Sequence, residues 1–245
     1  MIGQISNPIV KPIVLGPIFT PALPDISNLE INLDASESGS ILTPTGNVSA
    51  WLDIEKGNNA TQVLLASQPT FGTINNVPGV NFGSVDSVMN LPFTYDWTNL
   101  PFTIIAVATK RNSTGFRGII SNRFGAGAGN WWIVGQNISQ LMVLERTRPT
   151  LPVMDFSFDA RSQPPQIYEF NHNSNDTIYL NGVLTDTQAS GAIGGLTNDL
   201  KIGRWLTASQ AWDGFHHQIL VYSKSINVDE RSDLMAALRP KWQGL

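Results

Sequence analysis

Two carboxylates about 5 Å apart on one strand face are what a retaining glycoside hydrolase requires, so the acidic residues are the first place to look for chemistry. Glu30, Glu37, Glu55, Glu145, Glu169 and Glu230 are dispersed, and no Glu-x-Asp-x-Glu run occurs. Asp53 and Glu55 form the closest pairing, with no third carboxylate in register, and read as surface or turn residues. Nucleophilic catalysis has no better footing, because the chain contains no cysteine and no Gly-x-Ser-x-Gly elbow. Gly125 to Gly129 alternates Gly with Ala, but no Lys-Ser/Thr follows, which makes it a hairpin loop rather than a phosphate cradle. The expectation is a chain that is not an enzyme, with a glycanase as the minor alternative.

Metal chemistry is equally thin. His216 and His217 are neighbours on an expected strand and point to opposite faces, so they cannot both ligate one ion. Asp34 to Glu37 and Asn171 to Asp176 carry the oxygen ligands that calcium takes, yet turn formation accounts for the same residues. No metal and no cofactor are expected. Aromatic residues offer the remaining candidate, since a flat ring beside Asn and Asp is a common way to hold a sugar. Trp131 or its neighbour Trp132, with Trp205 and Trp212, are the candidate glycan-binding residues, and ordinary core packing is the alternative for each. Tyr95 and Trp97 also lie near turns.

The elements that would position these groups are short strands. Candidates recur every eight to fifteen residues with turn chemistry between them, including Asn75-Asn76 and Asn181-Gly182. Asn181-Gly182 between TIYL and VLT predicts a type I′ hairpin, which needs positive φ at both positions. In Phe215 to Tyr222 the period of two separates Phe215, His217, Ile219 and Val221, expected to be buried, from His216, Gln218, Leu220 and Tyr222. Asn227 or Asp229 caps a helix through Arg231, Leu234, Met235 and Leu238, expected to stop at Arg239 because Pro240 follows.

The closing stretch reads IYEFN, TIYLNG, LKIGRW and GFHHQILVYSKSINVDERSDLMAALRPKW. At these residues the chain resembles the concanavalin A-like lectin/glucanase superfamily in its laminin-G-like branch, whose members often close with a strand of the type GxIxExxVYxxxL and a helix. Gly214, Val221 and Tyr222 match that pattern, while His216 and Gln218 depart from it. LEINLDASES, VSAWLDIEKGNNATQ and GVNFGSVDSVMNLP are similar to the opening strands, and FTIIAVATK to a central one, so the likeness spans residues 27 to 242. The resemblance implies an all-β fold, a two-sheet antiparallel jelly-roll sandwich with a short C-terminal helix, of the kind found in bacteriophage virion surface proteins.

Composition agrees with one such domain. Charged residues are 14% of the chain, against 21 glycines and 15 prolines, which suits many tight turns. A net charge of -4 with scattered basic residues argues against nucleic acid, and no stretch approaches the roughly 18 apolar residues that span a bilayer.

Residues 1–27 stand apart from the domain expected over 28–245. Prolines at 8, 12, 17, 21 and 24 force an extended, proline-rich N-terminal arm, without the basic start and unbroken apolar run of a secretory signal. Its large apolar side chains, Ile9, Val10, Ile13, Val14, Leu15, Ile18 and Phe19, would each cost on the order of 1.5 kcal/mol or more in water. They are expected to anchor the chain to a homo-oligomer, a trimer, or to a shell such as the major capsid protein, with packing against its own sandwich as the alternative. The expected role is a non-enzymatic structural protein of a virion, with a carbohydrate-binding adhesin as the alternative.

Overall fold

The computed structural model describes residues 23–24, 26–83, 86–95, 97, 100–111, 114–122, 132–137, 141–146, 154–159, 164–190, 200–204 and 210–243. In chain order the first strands are β1 (Leu29–Asp34), β2 (Ile41–Leu42), β3 (Ala50–Trp51), β4 (Ala60–Thr61), β5 (Thr70–Ile74), β6 (Val77–Asn81) and β7 (Met89–Leu91). The middle of the chain supplies β8 (Phe102–Lys110), β9 (Arg117–Ser121), β10 (Trp132–Gln136), β11 (Leu141–Arg146) and β12 (Met154–Asp159). Then come β13 (Gln166–His172), β14 (Asn175–Leu180), β15 (Val183–Ala189), β16 (Leu200–Ile202), β17 (Gly214–Tyr222) and the helix α1 (Val228–Gln243).

These strands form two antiparallel sheets. The front sheet runs β15-β14-β13-β8-β17-β6-β5, with β1 also paired to β17, and the back sheet runs β12-β11-β10-β9-β16-β7-β4-β3-β2. Together with the closing helix this is the expected all-β sandwich.

Strand β8 shows why the sequence folds this way. Ile104, Ala106 and Ala108 face the core between the sheets, while Ile105 and Val107 face outward and are covered by α1, so the apolar run from Ile104 to Ala108 is buried on both faces. The helix contributes Leu234, Met235, Leu238 and Trp242 to that second layer, with Tyr222, Leu220 and Ile167 beneath. Leu23 and Ile26 pack in the same layer, so the chain enters the domain on the helix side.

Local signals decide the turns. Asn181 and Gly182 have φ of 51° and 77°, and Asn75 and Asn76 have 52° and 65°, as two-residue hairpins of the primed type require. Asn227 caps α1: its Oδ1 accepts from the backbone N–H groups of Asp229 and Glu230, and Glu230 accepts in return from the Asn227 N–H.

Two expectations are corrected. The helix does not stop at Arg239 but carries Pro240 and reaches Gln243. Contacts beyond the proline hold the last turn: the Trp242 indole donates to Gln218 Oε1 at 2.7 Å, Gln243 Nε2 donates to Pro165 O, and Lys241 pairs with Asp34. Strict alternation in β17 also fails. The register steps from His216 opposite Ala108 to Gln218 opposite Val107, leaving His217 as the extra residue of a β-bulge. His216 therefore joins Ile219 and Val221 on the core side, while Phe215, His217 and Gln218 lie on the helix side. The bulge sits where β17 changes partners along one edge, from β6 at Phe215 and His216 to β1 from Gln218 onward.

Candidate ligand-binding cleft

The tryptophans expected to hold a sugar are placed otherwise where the structure describes them. Trp132 and Trp212 are fully buried. Trp132 belongs to an edge-to-face cluster with Trp97 (5.6 Å, 70°) and Phe170 (5.9 Å, 61°), and Trp212 packs 5.8 Å from the His216 ring. Both are core residues, because a ring enclosed by other rings has no face left for a ligand. Trp131 and Trp205 lie outside the described residues, as do Gly125 to Gly129 and the arm residues Ile9, Val10, Ile13, Val14, Leu15, Ile18 and Phe19.

The oxygen-rich clusters are consumed by structure. Asp34 accepts from the Ser36 N–H and hydroxyl and pairs with Lys241; Asn171 joins the Thr103 hydroxyl to the Ile226 carbonyl; Asp176 holds His172 Nδ1 at 2.5 Å. Among the described residues no group of three metal-ligating side chains occurs. Asp53, read as an ordinary turn residue, is a buried hub instead. Its carboxylate accepts from the backbone N–H groups of Asn32, Glu55, Lys56 and Asn58 at 2.8 to 3.1 Å, fixing the 53–59 loop onto β1.

The two adjacent histidines illustrate how burial sets protonation. His217 lies on the helix side between Phe215 and Trp242, and its Nδ1 faces the Pro78 carbonyl at 2.6 Å. A carbonyl can only accept, so Nδ1 carries the proton and Nε2 accepts from the Thr109 hydroxyl at 2.8 Å. Burial pushes His217 down to about 4, against the opposing hydrogen bond to Pro78. His216 is enclosed by Phe82 and Trp212, and neither ring nitrogen has a hydrogen-bond partner. Burial, aided by the neighbouring His217 charge, pushes it down to about 3. Both rings are neutral near pH 7.

An open cleft of about 700 Å³ lies beside the β5–β6 hairpin, against the segments that carry Asn47, Leu65, Gln68 and Ser87. That volume is within the usual range for small-ligand sites. Three side-chain amides line it, from Asn47, Gln68 and Asn81, with the hydroxyls of Thr70 and Ser87 beside them. Leu65 and Ala66 supply an apolar wall that continues into the exposed Val63 and Leu64. Pairing of β5 with β6 places Thr70 opposite Asn81, and Asn81 Nδ2 donates to the Thr70 hydroxyl at 3.2 Å. Its other end, Oδ1, accepts from the Gly83 N–H at 3.0 Å and holds the loop that leaves β6. Gln68 Nε2 donates to Gln62 O at 2.7 Å, which fixes the amide, and its Oε1 is buried without a hydrogen-bond partner among the described residues.

Among the described residues, Arg111 is the one charged residue of this lining. Its guanidinium lies over the Phe215 ring, 5.0 Å from the centroid. A Cβ on Gly83 would come within 2.7 Å of Arg111 Nη1, so the guanidinium is lodged between an aromatic face and a bare stretch of backbone. Among the described residues, no carboxylate pairs with Arg111 and no acceptor takes its side-chain N–H groups.

A second groove, about 770 Å³, runs between α1 and the β14–β15 hairpin, and its cations are already engaged. Arg231 pairs with the buried Glu169 at 2.7 Å and lies 3.6 Å over the Tyr179 ring, while Arg239 donates to Asn181 O. Burial holds the Glu169 carboxyl above its ordinary range, opposed by the hydrogen bond and charge of Arg231. The β5–β6 cleft is therefore the better candidate. No signal in the sequence marked it, because its lining comes from positions between 47 and 111 that share no motif.

No protein-family model matches this sequence, and no curated protein is similar to it. Solved structures do match in fold. A sialidase from Trypanosoma rangeli is 15% identical with a TM-score of 0.63, over 89% of this chain and 33% of its own. The binding domain of Paraclostridial Mosquitocidal Protein 1 is 12% identical with a TM-score of 0.60, over 85% of this chain and 52% of its own. Domain 4 of AbnA, a GH43 extracellular arabinanase from Geobacillus stearothermophilus solved with arabinotriose, is 15% identical with a TM-score of 0.56, over 85% of this chain and 98% of its own. The chain spans about a third of the length of the sialidases it matches. The expectation that the chain is not an enzyme is corrected here: enzymes stand among its structural neighbours, and dispersed carboxylates were its main ground. What these likenesses show is the fold alone, a β-sandwich of two antiparallel sheets.

Proposed function

We propose that this chain is a saccharide-binding domain whose ligand seats in the β5–β6 cleft. The observation that carries the reading is the meeting of the Asn47 side-chain amide, which makes no internal hydrogen bond among the described residues, and an unpaired guanidinium on one open cleft beside exposed aliphatic surface. The Asn47 amide presents a donor and an acceptor in one plane, which suits vicinal hydroxyls, and the aliphatic wall of Leu65 and Ala66 suits the C–H face of a sugar ring. Neighbours in fold that include a domain solved with arabinotriose support the same class of ligand. A glycan array probed with the wild-type chain and with Asn47→Ala tests it. The Asn47 side chain makes no internal hydrogen bond, so its removal should leave folding intact and lower the signal. Binding to no glycan, or full binding by the variant, refutes the placement.

A second reading is attachment to a bacteriophage virion surface as a homotrimer, through Ile9, Val10, Ile13, Val14, Leu15, Ile18 and Phe19. It is supported by the apolar composition of that segment and by Leu23 and Ile26, whose packing brings the chain in on the helix side. Deletion of residues 1–22 should then abolish co-sedimentation with phage particles and reduce the mass in solution; unchanged behaviour in both rejects it.

A further inference from the structure

We infer that the saccharide taken by the β5–β6 cleft carries a carboxylate, and that Arg111 is the residue that reads it. The inference rests on the saccharide reading and adds the charge of the ligand. A guanidinium presents a planar fork of N–H donors that fits a carboxylate with two parallel hydrogen bonds, whereas a neutral hydroxyl uses only one. In this chain the fork is held ready. Phe215 supports one face of the Arg111 guanidinium and the Gly83 backbone leaves room for Nη1, while no internal acceptor competes for its donors among the described residues.

The surroundings agree in sign. Among the described residues the lining of the cleft contains no Asp or Glu, so an entering anion meets no opposing charge from them, although the whole chain carries a net charge of -4. The other functional groups around it, Asn47 and Thr70, are neutral donors and acceptors suited to the hydroxyls of the same ring. Asn81 acts as a positioning residue: by holding the Gly83 N–H it fixes the loop against which Arg111 is lodged.

The test is an array in which glycans bearing uronic or sialic acids stand beside their carboxyl-reduced counterparts, probed with wild type, Arg111→Gln and Gly83→Ala. Carboxylated glycans should bind, and their reduced partners should bind about tenfold or more weakly, the size of a charge-assisted hydrogen bond. Arg111→Gln should erase that difference while its thermal unfolding matches wild type. Gly83→Ala should weaken binding of the carboxylated set more than that of the reduced set, because its methyl group displaces Nη1. Added salt should lower the preference, since the cleft is open to solvent. Equal binding of carboxylated and reduced glycans, or a preference that survives Arg111→Gln, overturns the carboxylate inference and leaves the saccharide reading standing. Binding to no glycan at all overturns both.

Discussion

Acidification should unfold this protein through His216 and His217 before most of its carboxylates are protonated. Both rings are neutral in the folded state, with His216 pushed down to about 3 and His217 to about 4, while an unfolded histidine titrates near 6.5. The unfolded chain therefore binds more protons than the folded one below that point, so stability falls as pH drops from about 6.5 and flattens only near the folded values. At about pH 4.5 each histidine should cost roughly 2 to 3 kcal/mol, or about 5 together, against a total of about 5 to 15 for a typical domain. Equilibrium urea unfolding of wild type, His216→Leu and His217→Gln at about pH 7.5 and 4.5 isolates the effect, because carboxylates contribute alike to all three. His216→Leu should lose roughly 2 to 3 kcal/mol less than wild type between the two conditions. It should also be neutral or stabilising near pH 7.5, since the ring it replaces is buried with both nitrogens unpartnered. A pH dependence identical in wild type and His216→Leu would falsify the assignment of a neutral, buried imidazole.

Other interactions give sharper single-site expectations. Arg231→Met should destabilise the fold by about 3 to 5 kcal/mol because it strands the buried Glu169 carboxylate, and adding Glu169→Gln should recover most of the loss in chemical denaturation. Asp53→Ala should cost about 2 to 4 kcal/mol and expose the 53–59 loop to proteolysis, since four backbone N–H groups lose one acceptor. Pro240→Ala should raise the melting temperature by a few degrees, because Pro240 is exposed, breaks the α1 hydrogen-bond ladder and contributes no core contact.

The sandwich was readable because its causes are local. An unbroken apolar run such as Ile104 to Ala108 in β8 demands burial on both faces, and Asn181-Gly182 permits little besides a primed turn. Capping at Asn227 was legible for the same reason, with Glu230 three residues on. Features set by distant partners were not. The bulge at His217 arises from β17 exchanging β6 for β1 along one edge, which no pattern within Phe215 to Tyr222 encodes. Pro240 stays helical because Trp242 and Lys241 are fastened to Gln218 and Asp34, residues far away in sequence. Trp132 and Trp212 looked like sugar platforms by residue type, whereas burial among rings made them core. The cleft was invisible for a related reason: Asn47, Gln68, Asn81 and Arg111 are unremarkable until the β5–β6 hairpin and the end of β8 bring them together.

The most direct test of the account is a map of backbone amide chemical shifts as a carboxylated oligosaccharide selected on the array is titrated into the labelled protein. Seating in the β5–β6 cleft predicts saturable shifts centred on Asn47, Gln68, Thr70, Gly83 and Arg111, lost in Arg111→Gln. Shifts centred instead on Tyr179, Leu184 and Arg239 beside α1, or persisting unchanged in Arg111→Gln, would contradict it.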